Sequence, residues 1–353
     1  MPVVPVVPVV TVVHVVTLVP LVPVVTVVPV VPVVTVVPVV TVLTISNTGG
    51  RIMAKVIVFT NLKGGVGKTS DTDMIALVAS QIFHKKTLLI DVDLQANSTQ
   101  NMSRTFKKVD YPRSFTNAVM KGTLKNAILS LSPNLDFIAG SAGTHNLNEW
   151  ILDHSKNKKE RYLFFTSLID EIKDEYDYIF FDVAPSTDNT VDAIMMCCDY
   201  IIPVQEVKRF SMDGTSSLIS NYLTPMINAF PNEAHFQVAG VLPAIFQNRK
   251  QQQQINYEET VKHYGRDNVF YTIIKKLERL DRFGEHGITL NDYQDRKIWA
   301  IFSDLLLELE ARIKSFELTG DVLDFKFKPQ YYDVANNKEL AKSKEIELNG
   351  IDK

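Results

Sequence analysis

Seven consecutive residues, Lys63-Gly64-Gly65-Val66-Gly67-Lys68-Thr69, carry the chemistry that is easiest to interpret in this chain. Glycines at 64, 65 and 67 let the backbone bend so that successive amides point at one anion, and a helix starting behind them would add its positive end. In such a loop Lys68 neutralises β- and γ-phosphate charge, Thr69 offers a hydroxyl to Mg²⁺, and Ser70 a second hydroxyl near the α-phosphate. Gly64, Gly65, Val66 and Gly67 then supply the cradling backbone. The flanks agree with this reading. Lys55 to Thr60 is a β-branched run suited to a buried parallel strand, while Met74, Ile75, Val78, Ala79 and Ile82 recur at helical spacing up to His84. Strand, glycine loop and helix follow in the order a phosphate cradle requires. The strict pattern G-x-x-x-x-G-K-[ST] nevertheless fails, because Leu62 stands where its first glycine belongs.

Carboxylates occur where a nucleotide-bound metal would need them. The apolar run Thr87 to Ile90 leads into Asp91-Val92-Asp93-Leu94-Gln95-Ala96-Asn97, and two acids two apart at a strand end point the same way. Tyr178 to Phe181 ends in Asp182, followed by Val183-Ala184-Pro185-Ser186. A carboxylate closing a buried strand is costly unless it meets a cation or donors. Asp182 is therefore expected to hold Mg²⁺ through water. Asp71 and Asp73 are unexpected, because acids in the first turns after the loop suit the helix dipole but would repel phosphates if they faced the site.

With its added lysine, K-G-G-V-G-K-T resembles the deviant Walker A loop of the ParA/MinD class, and the chain is similar to the ParA-type partition ATPases. The likeness extends through Asp91 to Asn97, which resembles the family's D-x-D-x-Q-x-N segment. It continues through Tyr200 to Gln205, Ser211-Met212-Asp213-Gly214 and Val238 to Leu242, and covers nearly all of residues 54–315. Ala184 departs from the family's D-x-P-P-S. The resemblance implies ATP and Mg²⁺ as ligands, catalytic roles for Lys63, Lys68 and Asp93, and a homodimer in which Lys63 reaches the partner's nucleotide. By analogy Asp93 orients the attacking water while Asp91 supports the site. Residues 185–192 would form the loop that senses the γ-phosphate, and Pro243 to Phe246 are candidates for base contacts or, equally, for core packing.

The same resemblance implies non-specific DNA binding by basic residues of the C-terminal third, for which phosphate backbone needs only positive charge. Ten such residues lie between Arg249 and Lys297, and Lys275, Lys276 and Arg279 form the favoured cluster, although a solvated mixed-charge helix face accounts for them equally well. The net charge of −3 gives no global sign of nucleic-acid binding, so any contact must come from a local patch. Specific centromere recognition would belong to a partner protein, ParB-like or a small adaptor. The polar tail from Lys326 lacks the basic, apolar-faced helix that attaches MinD-like relatives to membrane, so no membrane contact is expected and the protein should be cytoplasmic and nucleoid-associated.

The elements that position these residues read as alternating strands and helices, hence an α/β fold: a doubly wound, mostly parallel sheet flanked by helices, of the P-loop NTPase type, with nucleotide at the strands' C-terminal edge. A closing helix is expected from Tyr293 to Phe316, with Ile298, Ile301, Leu305, Leu309 and Ile313 on one side. The domain would span 53–325, followed by a polar tail over 326–353. Residues 1–52 are a low-complexity tail. Pro2 to Leu43 parse into fourteen triplets of the form Pro/Thr-Val-Val, and the proline spacing argues against a membrane helix. Such a segment is expected to be extended or disordered. A three-residue period also corresponds to a tandem repeat in the DNA, so the working protein is expected to begin at Met53. Cys197 and Cys198, the only cysteines, are read as buried reduced thiols. They lack the spacing of a nitrogenase-type reductase, and Tyr331-Tyr332 are not the tyrosine cluster of a bacterial tyrosine kinase. Two further readings are a MinD-like ATPase for another cargo, and a DNA-coating scaffold with vestigial hydrolysis.

Overall fold

The computed structural model describes residues 53–331, apart from 109, 142–144 and 248–249. The Val-Pro-Thr repeat, the question of where translation starts, and residues 332–353 of the tail lie outside the described residues. Eight strands form one sheet: β1 (Lys55–Thr60), β2 (Thr87–Asp91), β3 (Leu129–Ser132), β4 (Leu135–Ile138), β5 (Tyr178–Asp182), β6 (Tyr200–Glu206), β7 (Gln237–Val238) and β8 (Leu242–Ala244). Their order is β3-β4-β2-β5-β1-β6-β7, with β8 also paired to β6. All pairs are parallel except the β3–β4 hairpin.

The helices are α1 (Lys68–Leu77), α2 (Asn97–Phe106), α3 (Phe115–Met120), α4 (His145–Asp153), α5 (Lys158–Tyr162), α6 (Thr166–Asp170), α7 (Asn189–Cys197), α8 (Arg209–Ser217), α9 (Thr224–Ala229), α10 (Gln251–Tyr264), α11 (Glu278–His286) and α12 (Tyr293–Thr319). Single π turns continue α1 over Val78–Ile82 and join α8 to α9 over Leu218–Leu223.

Central strands read as unbroken apolar runs because both sheet faces are covered. Ile57, Phe59, Leu89 and Phe180 pack on one side with Met74 and Ile75 of α1 and Ile298, Ile301 and Leu305 of α12. Val56, Val58, Ile90 and Phe181 pack on the other with Leu147 of α4 and Val191, Ile194 and Met195 of α7. The β1–α1–β2 crossover passes over β5, which lies between the two strands it connects. The carboxyl ends of β1, β5 and β2 therefore lie side by side, and Asp91 and Asp182 are direct neighbours in register.

The closing helix is longer than its apolar stripe suggests. Asp292 caps it by accepting from the amides of Gln294 and Asp295, and Gly320 ends it at φ 82°. Fully buried Arg312 on α12 pairs with Glu308 at 2.9 Å and donates to the carbonyls of Ala239, Asp267 and Val269. The strand expected over Val238 to Leu242 is accordingly split into β7 and β8. Ala239 turns its carbonyl to the guanidinium, and Gly240 adopts φ 135°, where a Cβ would lie 3.0 Å from an Arg312 nitrogen. Cys198 is buried, Cys197 is half-buried, and both are free thiols.

Candidate functional site

The turn between β1 and α1 is shaped by glycines that adopt conformations other residues avoid. Gly65 has φ 72°, and Gly67, the residue before α1, has φ 101°. Asn61 anchors the start of the turn: its amide nitrogen donates to the Val204 carbonyl (2.7 Å) and Thr215 Oγ1 (3.2 Å), while its oxygen accepts from the Lys63 amide (2.8 Å). Lys68 Nζ folds back to the Lys63 carbonyl at 3.3 Å. Burial lowers the pKa of this ammonium, and the charges of Asp182 and Asp93 act against that. Thr69 and Ser70, both half-buried, occupy the first turn of α1. Pro185, from the loop after β5, lies 3.9 Å from where a Gly64 Cβ would be, so residues 183–186 face the glycine turn.

Asp182 ends β5 fully buried, with neither carboxylate oxygen hydrogen-bonded. Its pKa is raised well above the ordinary range by burial and then by the charges of Asp91 and Asp73, with the Thr69 hydroxyl opposing. A buried carboxylate beside a lysine and a threonine hydroxyl is a donor set whose chemistry fits a hard divalent cation.

The two acids after β2 do not act as a pair. Asp91 is the last residue of the strand, and its carboxylate accepts from the Thr99 hydroxyl (2.6 Å), the Thr99 amide (2.8 Å) and the Asp93 amide (3.0 Å). Burial pushes its pKa up to about 6 against those bonds. Asp93 lies beyond the strand in a turn, where it accepts from the Gln95 amide at 2.9 Å. Strand alternation stops at Asp91, so the two acids expected to point the same way have different partners: Asp91 fixes the turn, and the charge of Asp93 acts on Lys68. Gly140 permits this arrangement, since a Cβ there would meet the Asp91 carboxyl at 2.8 Å.

Asp71 and Asp73 are both buried in α1. Asp73 turns away from the glycines to bind Ser98 (2.5 Å) and Asn101 (2.7 Å) of α2, and burial raises its pKa to about 7. Asp71 lies under the turn, its carboxylate 3.5 Å from a Gly67 Cβ position, without a hydrogen-bond partner, and burial raises its pKa well above the usual range. Burial thus favours the neutral form of this acid over the ionised one.

Lys63 is half-exposed, and its ammonium pairs with Glu206 Oε2 at 3.0 Å; Glu206 also holds Lys208 through Oε1 at 2.5 Å. Glu206 was not singled out from sequence, although it closes an apolar strand just as Asp182 does, and the same rule could have found it. Thr99, Asn61 and Gly140 carried no comparable signal.

The favoured basic cluster is divided. Arg279 pairs with Asp292 and, at 2.7 Å, with Asp295, tying α11 to the start of α12, so it is not a free cation. Lys276 is exposed and Lys275 half-buried on the segment that bridges to Phe246. Pro243 to Phe246 are packing residues: β8 is buried against β6, and Phe246 contacts the Tyr257 ring. Arg249 lies outside the described residues. Among the described residues, no helix is long and apolar enough to cross a membrane.

Residues 54–231 match the family model described as AAA domain. The chromosome-partitioning ATPase Soj of Treponema pallidum is 26% identical over 266 residues, which cover 74% of this chain and 98% of that protein. The sporulation initiation inhibitor protein Soj of Bacillus subtilis is 27% identical over 263 residues, covering 73% and 99%. Among solved structures, an ATP complex of Cyanothece McdA superposes with a TM-score of 0.61 at 18% identity, covering 74% of this chain and 98% of that one.

Proposed function

We propose, from the premise that the chain belongs to the AAA-domain family and is a ParA-type partition ATPase, that it works as an ATP-dependent dimerising switch for DNA segregation. The observation that carries the site is Asp182, a fully buried carboxylate with two unsatisfied oxygens beside Lys68 and the Thr69 hydroxyl.

In this reading the amides of residues 64–70 and the Lys68 ammonium bind the phosphates of ATP, and Thr69 and Asp182 hold Mg²⁺. The ion, when bound, supplies positive charge to the β- and γ-phosphate oxygens. Lys68 loses the Lys63 carbonyl as its partner and turns its charge to the nucleotide. Asp93, held in its turn by Asp91 and the Gln95 amide, orients the attacking water. Residues 185–192 change order when the γ-phosphate leaves. Lys63 reaches the partner's nucleotide, so ATP closes a homodimer. The dimer binds DNA non-specifically, with Lys275 and Lys276 as the basic contribution from this face. A centromere-binding partner stimulates hydrolysis and releases it, and the protein acts in the cytoplasm on the nucleoid.

The test is retention of plasmid DNA by the purified chain, measured by filter binding at low salt with ATP, ADP and no nucleotide, with ATP turnover followed alongside. Retention specific to ATP is expected. Equal retention in all three conditions would overturn the switch.

A further inference from the structure

Glu206 occupies an unusual position for a surface ion-pair partner. Its side chain is 8% exposed at the carboxyl end of β6, yet both oxygens are taken by lysines from the solvent side. Burial would raise its pKa, but the hydrogen bonds from Lys208 and Lys63 outweigh burial and hold the carboxyl below its ordinary value. The carboxylate is thus ionised and needs at least one cation. It has two, and only one of them, Lys63, belongs to the glycine turn.

The backbone of Lys63 is fixed independently of this ion pair. Its amide donates to Asn61 and its carbonyl accepts from Lys68. Only the flexible four-carbon stem separates the present position of the ammonium from any other, so the side chain can leave while the turn keeps its shape. When it leaves, Lys208 stays on Glu206, and the buried carboxylate is not stranded.

We propose that Glu206 is a positioning residue that parks Lys63 on its own protomer, and that Lys208 makes this contact releasable by neutralising the carboxylate Lys63 leaves behind. The destination of Lys63 rests on the dimer reading above; the parking itself does not. Solvent weakens an ion pair with a half-exposed partner to about a two- to five-fold bias in an equilibrium. A symmetric dimer releases two such lysines, so the bias enters twice, about 4- to 25-fold in the dimer dissociation constant.

The experiment uses the full chain and three proteins: wild type, Glu206→Gln and Lys208→Met. Pulse acetylation without nucleotide, quantified by peptide mass spectrometry, reads how far Lys63 is held. Sedimentation with Mg²⁺ and a non-hydrolysable ATP analogue reads the dimer. E206Q should raise Lys63 labelling about two- to five-fold and tighten the dimer. K208M leaves Lys63 as the sole counter-ion, so it should lower labelling and weaken the dimer. Opposite shifts are the signature, because a merely structural role would move both variants the same way. Lys208 is exposed, so K208M reports even if E206Q folds poorly. Unchanged Lys63 labelling in both variants, or shifts of the same sign, overturns the parking contact. If labelling moves in opposite directions but no protein dimerises, parking is supported and the dimer reading fails.

Discussion

Replacing Asp182 by asparagine should stabilise the nucleotide-free protein while removing its activity. The wild-type carboxylate is fully buried, neither oxygen has a well-formed hydrogen bond, and the Thr69 hydroxyl is the one donor close enough to oppose its pKa rise. Its pKa is raised by burial first and by neighbouring acids second, so the folded chain binds its proton more tightly than the unfolded chain does. Wherever the unfolded state holds fewer protons, stability falls as pH rises. The loss therefore begins near the ordinary aspartate range, about pH 4, and grows upward from there. The neutral amide escapes this. D182N should match wild type near pH 4 and exceed it at pH 8 by about 1–3 kcal/mol, the range for a buried polar group left unsatisfied. That corresponds to a thermal midpoint raised by about 2–4 °C per kcal/mol for a domain of this size. Turnover should fall about 10²- to 10³-fold, as when a preorganised electrostatic group is lost. Thermal unfolding at both pH values, with and without Mg²⁺ and ATP, checks both halves. Wild type should gain stability from the ligand and the variant little. A variant that is less stable than wild type at pH 8 without nucleotide, or that hydrolyses ATP normally, would refute the assignment of Asp182 as an unsatisfied cation ligand.

Lys68→Ala should abolish uptake of a fluorescent ATP analogue and leave the thermal midpoint insensitive to Mg²⁺ and ATP. Gly140→Ala forces a Cβ to within 2.8 Å of the Asp91 carboxyl, so the charge-assisted bonds to Thr99 and Asp93 are strained; urea unfolding should show a loss of about 2–4 kcal/mol, with turnover reduced because Asp93 shifts. Asp73 has its pKa raised to about 7, so its ionisation costs stability progressively from about pH 4 to pH 7. Asp73→Asn should accordingly flatten that part of the stability profile, measured as unfolding midpoints across the range, and an unchanged slope would count against the burial argument.

The parts of the fold and site that could be read from sequence are those in which neighbours along the chain are also neighbours in space. The glycine turn, its strand and its helix are contiguous, and apolar strands ending in Asp91 and Asp182 mark the sheet edge by burial alone. What could not be read depends on contacts across the chain. Asp91 is neutralised as a ligand by Thr99, eight residues away on α2, and by a glycine at 140 that no local pattern distinguishes. Arg279 looked like a surface cation because its partners, Asp292 and Asp295, come from the next helix. The split of the strand over 238–242 required knowing that Arg312, more than seventy residues on, sits beneath Gly240. Hydrophobic periodicity indicates which face is buried, but the counter-charge that meets a buried polar group is set by topology.

Topology also explains why four buried acids can collect around one phosphate loop without preventing it from binding an anion. The crossover from β1 to β2 over β5 brings Asp91 and Asp182 into register, and α1 adds Asp71 beneath the turn and Asp73 against α2. Were all four ionised, the site would repel a triphosphate. Burial raises the pKa of each of them, which works against that charge, and their partners differ. Asp91 and Asp73 are bound by donors from α2, and burial raises their pKa values. Asp71 is buried without a hydrogen-bond partner, and burial raises its pKa well above the ordinary value, as it does for Asp182. Only Asp182 has Lys68 and the Thr69 hydroxyl beside it, so only there would a divalent ion restore the ionised form. Metal and nucleotide should therefore bind cooperatively, each favouring the charge state the other needs, and proton release on joint binding, measured in weakly buffered solution, should exceed that for ATP alone.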